Sequence, residues 1–290
     1  MLNGIINIYK PSKMTSHDVI YKVRRITGIK KVGHTGTLDP DATGVLPVCI
    51  GNGTKLSDML TVSDKRYTAV MRLGVVTDTQ DISGNVLRET RHSVTKSDVA
   101  AVLPRFTGDI MQIPPMFSAI KVNGKKLYEL GRQGIEIERQ ARPVTIYGIE
   151  ILDIDGDDVT LDVKCSKGTY IRTLCHDIGQ SLGCGATMAS LVRTESAGFC
   201  IDNSVTLQEL EQNGAEKYIV PVEDMFDYKK ISVGGSLLKK VLNGNPVAKP
   251  GITDGEMYRV YDDNGKFLCV SKGQDGILKM VKCFFAGSGL

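Results

Sequence analysis

The chain has 290 residues, 41% hydrophobic and 24% charged, with a formal net charge of +3 and no tryptophan. That length accommodates one large folded unit and a small one, and the balance of apolar and charged residues excludes a disordered or fibrous chain. No apolar run approaches the ~18–20 residues that cross a bilayer, and the N-terminal MLNGIINIYKPSK lacks a long apolar stretch and a cleavage pattern, so a cytoplasmic protein is expected.

Residues 15–26 predict an amphipathic helix: Thr15 and Asp18 form a capping box, Val19, Val23 and Ile26 share one stripe, and Gly28 ends it. Seven basic residues (Lys10, Lys13, Lys22, Arg24, Arg25, Lys30, Lys31) cluster here against one acid, Asp18, which suits either phosphate contacts or a solvated helix face. Next comes KVGHTGTLDPDATGVLPVCIG, where Gly33, Gly36 and Gly44 are expected to permit backbone shapes closed to other residues. Asp39 in this stretch has two readings, a simple turn with Pro40 or a carboxylate presented as a nucleophile. Residues 45–50 predict a buried strand, Thr54 the cap of a short helix carrying Leu56, Met59 and Leu60, and residues 67–73 another strand. Residues 95–103 repeat the capped-helix pattern with Thr95 and Asp98. Segment 112–142, with its Pro-Pro pair, an Asn123-Gly124 turn and the cluster Lys121, Lys125, Lys126 and Arg132, reads as a long excursion. A hairpin is expected from strands 144–154 and 159–165, then a helix with Ile171, Leu174, Cys175, Ile178 and Leu182 inward, ending at Gly183. From Lys229 onward, one short helix at 236–242 and the runs MYRVYDD, FLCVSK and ILKMVKCFF predict a small, partly barrel-like β unit.

Spacing removes several chemistries. There is no phosphate-loop motif, Gly51 to Lys55 is too short for a dinucleotide fingerprint, and no G-x-S-x-G elbow exists. The four histidines, His17, His34, His92 and His176, show no metal-ligand spacing, so neither a metal site nor a cofactor is expected. The seven cysteines are odd in number and lack C-x-x-C spacing, which makes them reduced core residues; Cys175 and His176, adjacent on a helix, point in different directions.

GHTGTLDPDATGVLP, KRYTAVMRLGVVTDTQDISG and CSKGTYIRTLCHDIG, preceded by KPSKMTSHDVI, together resemble the ordered motifs of the bacterial tRNA pseudouridine synthase B (TruB-type) family, and the C-terminal unit resembles its RNA-binding PUA module. The resemblance spans nearly the whole chain. It implies an α+β pseudouridine synthase fold with a mixed, mainly antiparallel sheet flanked by helices, plus a small PUA-like β-barrel. It also implies a catalytic domain over residues 1–228, an RNA-gripping insertion at 112–142, and a PUA-like domain over 229–290. The implied reaction converts uridine to pseudouridine at position 55 of the tRNA T loop. The implied partner is the T-arm stem-loop, with no guide RNA, no obligatory protein partner and a monomeric enzyme.

By the same resemblance Asp39 attacks the flipped-out uridine, Tyr67 stacks on the base and is a candidate for proton transfer, and Arg172 pairs with Asp39. Leu191 forms an apolar pocket wall, His34 helps hold the distorted RNA loop, and Lys10, Lys55 and Tyr170 line the cleft. A neighbouring guanidinium is expected to lower the Asp39 pKa and keep the carboxylate ionised. The chain departs from the family pattern at Asp41, expected to face solvent, and at Val192-Arg193, where an Arg-Arg pair is common. The rival readings are a non-catalytic RNA-binding or RNA-folding protein and an RNA-guided relative acting on ribosomal RNA. The excursion is expected to move on RNA binding.

Overall fold

The computed structural model describes residues 2–122 and 124–285; the turn residue Asn123 lies outside the described residues. Strict alternation in KRYTAVMRL buries Lys65, Tyr67, Ala69, Met71 and Leu73 on one face of strand Lys65–Leu73, while TGVLPVCI, apolar throughout, forms the nearly fully buried strand Thr43–Ile50. Both belong to a sheet whose main path runs Val220–Pro221, Gly4–Lys10, Thr43–Ile50, Ala186–Ser196, Lys65–Leu73, Asp158–Cys165, Arg142–Asp155 and Gly108–Gln112. Neighbours on that path are antiparallel except where Thr43 and Gly44 meet Val192 and Arg193 in parallel. The sheet is thus mixed and mainly antiparallel, as expected.

At the parallel contact a Cβ on Gly44 would lie 2.3 Å from the Arg193 carbonyl oxygen, and Gly44 has φ +99°. Glycine is required there for both reasons. Gly33 and Gly36 do not adopt positive φ, so the expectation of special backbone shapes holds for Gly44 alone of the three.

Helix Ser16–Thr27 is capped as its sequence predicts, with Thr15 and Asp18 in a reciprocal capping box and Gly28 left-handed at φ 68°. Val19, Ile20 and Val23 are buried in a cluster with Ile6, Ile8 and Leu46, while Lys22, Arg24 and Arg25 stay outside. Helices Lys96–Val102 and Ile171–Ser181 cover the other main core, around Ala69, Met71, Leu161 and Val163. Thr54 is not a helix cap: its hydroxyl donates to Gly51 O at 2.7 Å inside the 3-10 turn Gly51–Leu56, which continues into Ser57–Thr61.

The 112–142 excursion contains two short paired strands, Lys121–Val122 and Lys125–Lys126, and helix Leu127–Gly131. Its root is tight, because Gln112, Pro114, Pro115, Met116 and Ser118 are buried; most of 132–142 is exposed. Beyond residue 228 a second, curled sheet has the order Lys229–Val233, Met257–Asp262, Phe267–Gln274, Ile277–Cys283, Val247–Ala248, with helix Gly235–Leu242 against it. Among the described residues no helix is long and apolar enough to cross a membrane, and no His, Cys, Asp and Glu cluster could hold a metal ion.

Candidate active site

Three segments far apart in sequence meet at Arg172. Its side chain, 6% exposed, sends Nε to Asp39 Oδ2 at 2.9 Å and Nη2 to Asp39 Oδ1 at 3.3 Å, gripping the carboxylate with two donors. Nη1 reaches the Thr79 carbonyl at 3.1 Å and Asp81 Oδ2 at 3.5 Å, and Nη2 also donates to the Phe117 carbonyl at 2.9 Å. One guanidinium therefore ties the Asp39 loop to the 79–81 turn and to the root of the excursion. Asp39 itself keeps 40% of its side chain open. The result is an oriented carboxylate with a free approach.

Burial lifts the Asp39 carboxyl above the ordinary aspartate value; Arg172 opposes that rise and Asp81 adds to it. The expected lowering by a neighbouring cation is thus outweighed, because leaving water disfavours the charged form before any partner is counted. Asp41, by contrast, is exposed.

Tyr67 and Leu191 share the core cluster that includes Leu38 and Ala42, the residues flanking the Asp39 bend. Both lie on the central strands, where Leu191 faces Ala69 and Arg193 faces Tyr67. Burial pushes the Tyr67 phenol above its usual pKa, with Arg193 opposing, so it is protonated at neutral pH. Tyr170, just before helix Ile171–Ser181, is held through its backbone: Gln112 accepts from its N–H at 2.8 Å and donates to its carbonyl at 3.0 Å. Its half-buried phenol is likewise raised by burial, with Arg172 among the groups opposing and Asp39 adding.

Known proteins are similar to this sequence over nearly its full length. The TruB family pseudouridylate synthase N-terminal domain matches residues 24–171, the tRNA pseudouridylate synthase B C-terminal domain residues 172–227, and the pseudouridine synthase II TruB C-terminal domain residues 230–280. A tRNA pseudouridine synthase B of Clostridium novyi (strain NT) is 47% identical over 286 residues, covering 97% of this chain and 99% of that protein. The chain belongs to the TruB family of pseudouridylate synthases.

A tRNA pseudouridine synthase B of Clostridium perfringens (strain 13 / Type A) is 46% identical over 289 residues, covering 97% of this chain and 98% of that one. Among solved structures, a chain from a Cbf5-Nop10-Gar1 complex matches with TM-score 0.70 and 29% identity over 97% of this chain and 85% of its own. One from an H/ACA RNP bound to a substrate RNA containing 2′-deoxyuridine gives 0.71 and 27%, covering 98% and 86%. This TruB-family chain accordingly has the pseudouridine synthase fold with a PUA-like C-terminal sheet, and it is an isomerase.

The remaining expected site residues of this TruB-family chain are placed unequally. His34 is half-buried five residues before Asp39, edge-on to His17 at 6.4 Å between centroids, with Nδ1 accepting from Gly36 N at 3.3 Å. Burial, then His17 and Arg193, bring its pKa down to about 4, so it acts as a neutral ring. Lys10, expected to line the cleft, is fully buried beneath it. Its Nζ donates to the Pro11, Met14 and Pro40 carbonyls, which holds the far side of the Asp39 bend and removes Lys10 from the exposed basic cluster. Lys55 turns away from the cleft to the C-terminal unit, where Nζ meets Cys283 Sγ at 3.3 Å and the Phe285 carbonyl at 3.5 Å.

Sequence reading missed Asp81, Ser16 and Gln112 and noted Arg193 only as half of an expected pair. Asp81 lies within the TDTQDISG stretch, where Thr79, Ser83 and Arg172 all address its carboxylate. Such a density of short polar residues around one acid was the available signal.

Proposed function

We propose that this chain converts uridine to pseudouridine at position 55 in the T loop of tRNA, acting in the cytoplasm as a monomer without guide RNA or protein partner, with Asp39 as the attacking carboxylate. The observation that carries this reading is the two-donor clamp of Arg172 on a carboxylate still 40% open to solvent. The near-full-length tRNA pseudouridine synthase B relatives support tRNA as the substrate.

A uridine stacked in an RNA loop is reached by extrusion, and an aromatic ring and an apolar wall suit the extruded base. Tyr67 and Leu191 supply these. The carboxylate attacks either C1′ of the ribose or C6 of the base; the C1′–N1 bond breaks, the base turns, C1′–C5 forms, and the bond from Asp39 to C1′ or C6 breaks to return the free carboxylate. N1 gains a proton and C5 loses one, so the reaction balances without redox change or phosphate transfer. Neutral His34 offers an uncharged edge to the loop, Tyr170 borders the carboxylate, and exposed Lys13, Lys22, Lys30 and Lys31 meet phosphates. The 112–142 segment grips the T arm from a root tied to Arg172.

The test uses purified protein and an unmodified tRNA transcript tritiated at uridine C5, with no guide RNA. Wild type releases tritium to water. Asp39→Asn keeps tRNA affinity and loses more than about a thousandfold in rate, the scale seen when a covalent nucleophile is removed. Turnover by the variant close to wild type rejects Asp39 as nucleophile, and release that requires an added guide RNA rejects the stand-alone enzyme.

A further inference from the structure

We propose that Arg193 is a positioning residue for the isomerisation, pinning both stems of the Asp39 loop and keeping an unpaired positive charge beneath the base-binding cleft. This rests on the reading of Asp39 as the attacking group.

The side chain is 1% exposed. Nε donates to Val45 O at 2.7 Å and Nη2 to Gly36 O at 3.1 Å, so one planar group bridges the chain three residues before Asp39 and six residues after it. Its strand neighbours are Gly44 on one side and Tyr67 on the other. The same residue therefore registers the loop against the strand that carries the tyrosine, while Lys10 holds the loop at Pro40. A lysine at position 193 has a single ammonium and lacks the fork that two diverging carbonyls require.

Hydrogen bonding alone does not account for an arginine. Among the described residues no carboxylate lies within ion-pair distance of Arg193, Lys10 or Lys65. All three are buried; burial first, and Arg193 after it, lower the pKa of Lys65 to about 8, and burial brings Lys10 to about 8 as well, with Asp41 and Asp39 opposing and Arg193 adding. Removing an unpaired charge from water is expensive, and a neutral amide could serve the same carbonyls more cheaply. The reaction supplies the missing counter-charge. Attack at C1′ expels the base as an anion, and attack at C6 places negative charge on its carbonyl system, so either route gains from a fixed cation below the cleft.

The experiment compares Arg193→Lys, which keeps the charge, with Arg193→Gln and Arg193→Met, which remove it. The methionine variant suits a buried site if the glutamine variant does not fold. Rates per folded molecule are measured on tRNA transcript, with affinity by filter binding and folding by circular dichroism. The expected result is a kcat loss of about 100-fold in the charge-free variants, the effect of deleting one oxyanion donor, with affinity within threefold of wild type and a smaller loss in the lysine variant. Wild-type kcat in a charge-free variant, equal losses with and without the charge, or a loss confined to KM overturns the proposal. An inactive wild type fails the functional reading itself, a separate outcome.

Discussion

At the scale of single residues, Asp39 sits between opposing influences. Burial raises its pKa first, Arg172 pulls it back, and Asp81 pushes it up again. In the proposed role Asp39 must be ionised to attack, so activity is expected above the folded-state pKa and is lost as pH falls through it. Because that pKa lies above the ordinary 3.8, the acid limb of kcat/KM is expected to have its midpoint above 3.8, with a tenfold fall per pH unit below it. A pH–rate profile of the purified protein measures this, and a midpoint at or below 3.8 contradicts it. His34, with its pKa near 4, is already neutral throughout the working range and contributes nothing to a limb near 6.5.

At the scale of elements, the site depends on how helix Ser16–Thr27 begins. Ser16, its first residue and 2% exposed, accepts from Leu38 N at 2.9 Å and donates to Leu38 O at 3.3 Å, so the capped helix start is fastened to the residue before Asp39. Ser16→Ala leaves that buried N–H and carbonyl without partners, and an expected cost of about 1–3 kcal/mol follows. Thermal or denaturant melts measure it, and kcat should fall while tRNA affinity is kept; an unchanged melt and rate refute the coupling. The helix was readable in the sequence because its capping box and its stop at Gly28 are local, and the strands around Tyr67 and Val45 were readable from alternation and from continuous burial. The clamp was not. Arg172 reaches Asp39 across 133 residues and Thr79 across 93, and Arg193 reaches Val45 across 148; no periodicity encodes such distances. Resemblance named Asp39, Tyr67 and Arg172, yet it could not distinguish Lys10, which turned inward to bind carbonyls, from the lysines that face solvent.

At the scale of the whole molecule, the division proposed after residue 228 separates two sheets with cores of their own, yet one further apolar cluster spans it. Ile5, Cys49, Leu56 and Leu60 of the large sheet's side pack in one cluster with Val222 and Phe226 and with Val270 and Phe284 from beyond the division. Phe226 stacks on Tyr228 at 5.4 Å and meets Phe284 at 5.8 Å, and Asn52 Nδ2 donates to the Phe284 carbonyl at 2.7 Å across the same junction. A chain ended at residue 228 would uncover Phe226, Leu56 and Leu60, at about 1.5–3 kcal/mol for each large apolar side chain returned to water. Stability of a domain is only ~5–15 kcal/mol, so that loss is a large fraction of the total. The expected outcome for the 1–228 fragment is a sharply lowered melting temperature, binding of a hydrophobic dye, and activity on a short T-arm stem-loop lost in proportion to the unfolded fraction. Phe284→Ala in the full chain is the milder form of the same test, because it thins the shared core while leaving both sheets in place. A fragment that melts like the full chain and turns over the stem-loop at the full rate would mean that the C-terminal sheet contributes RNA contacts alone and that the common core is dispensable.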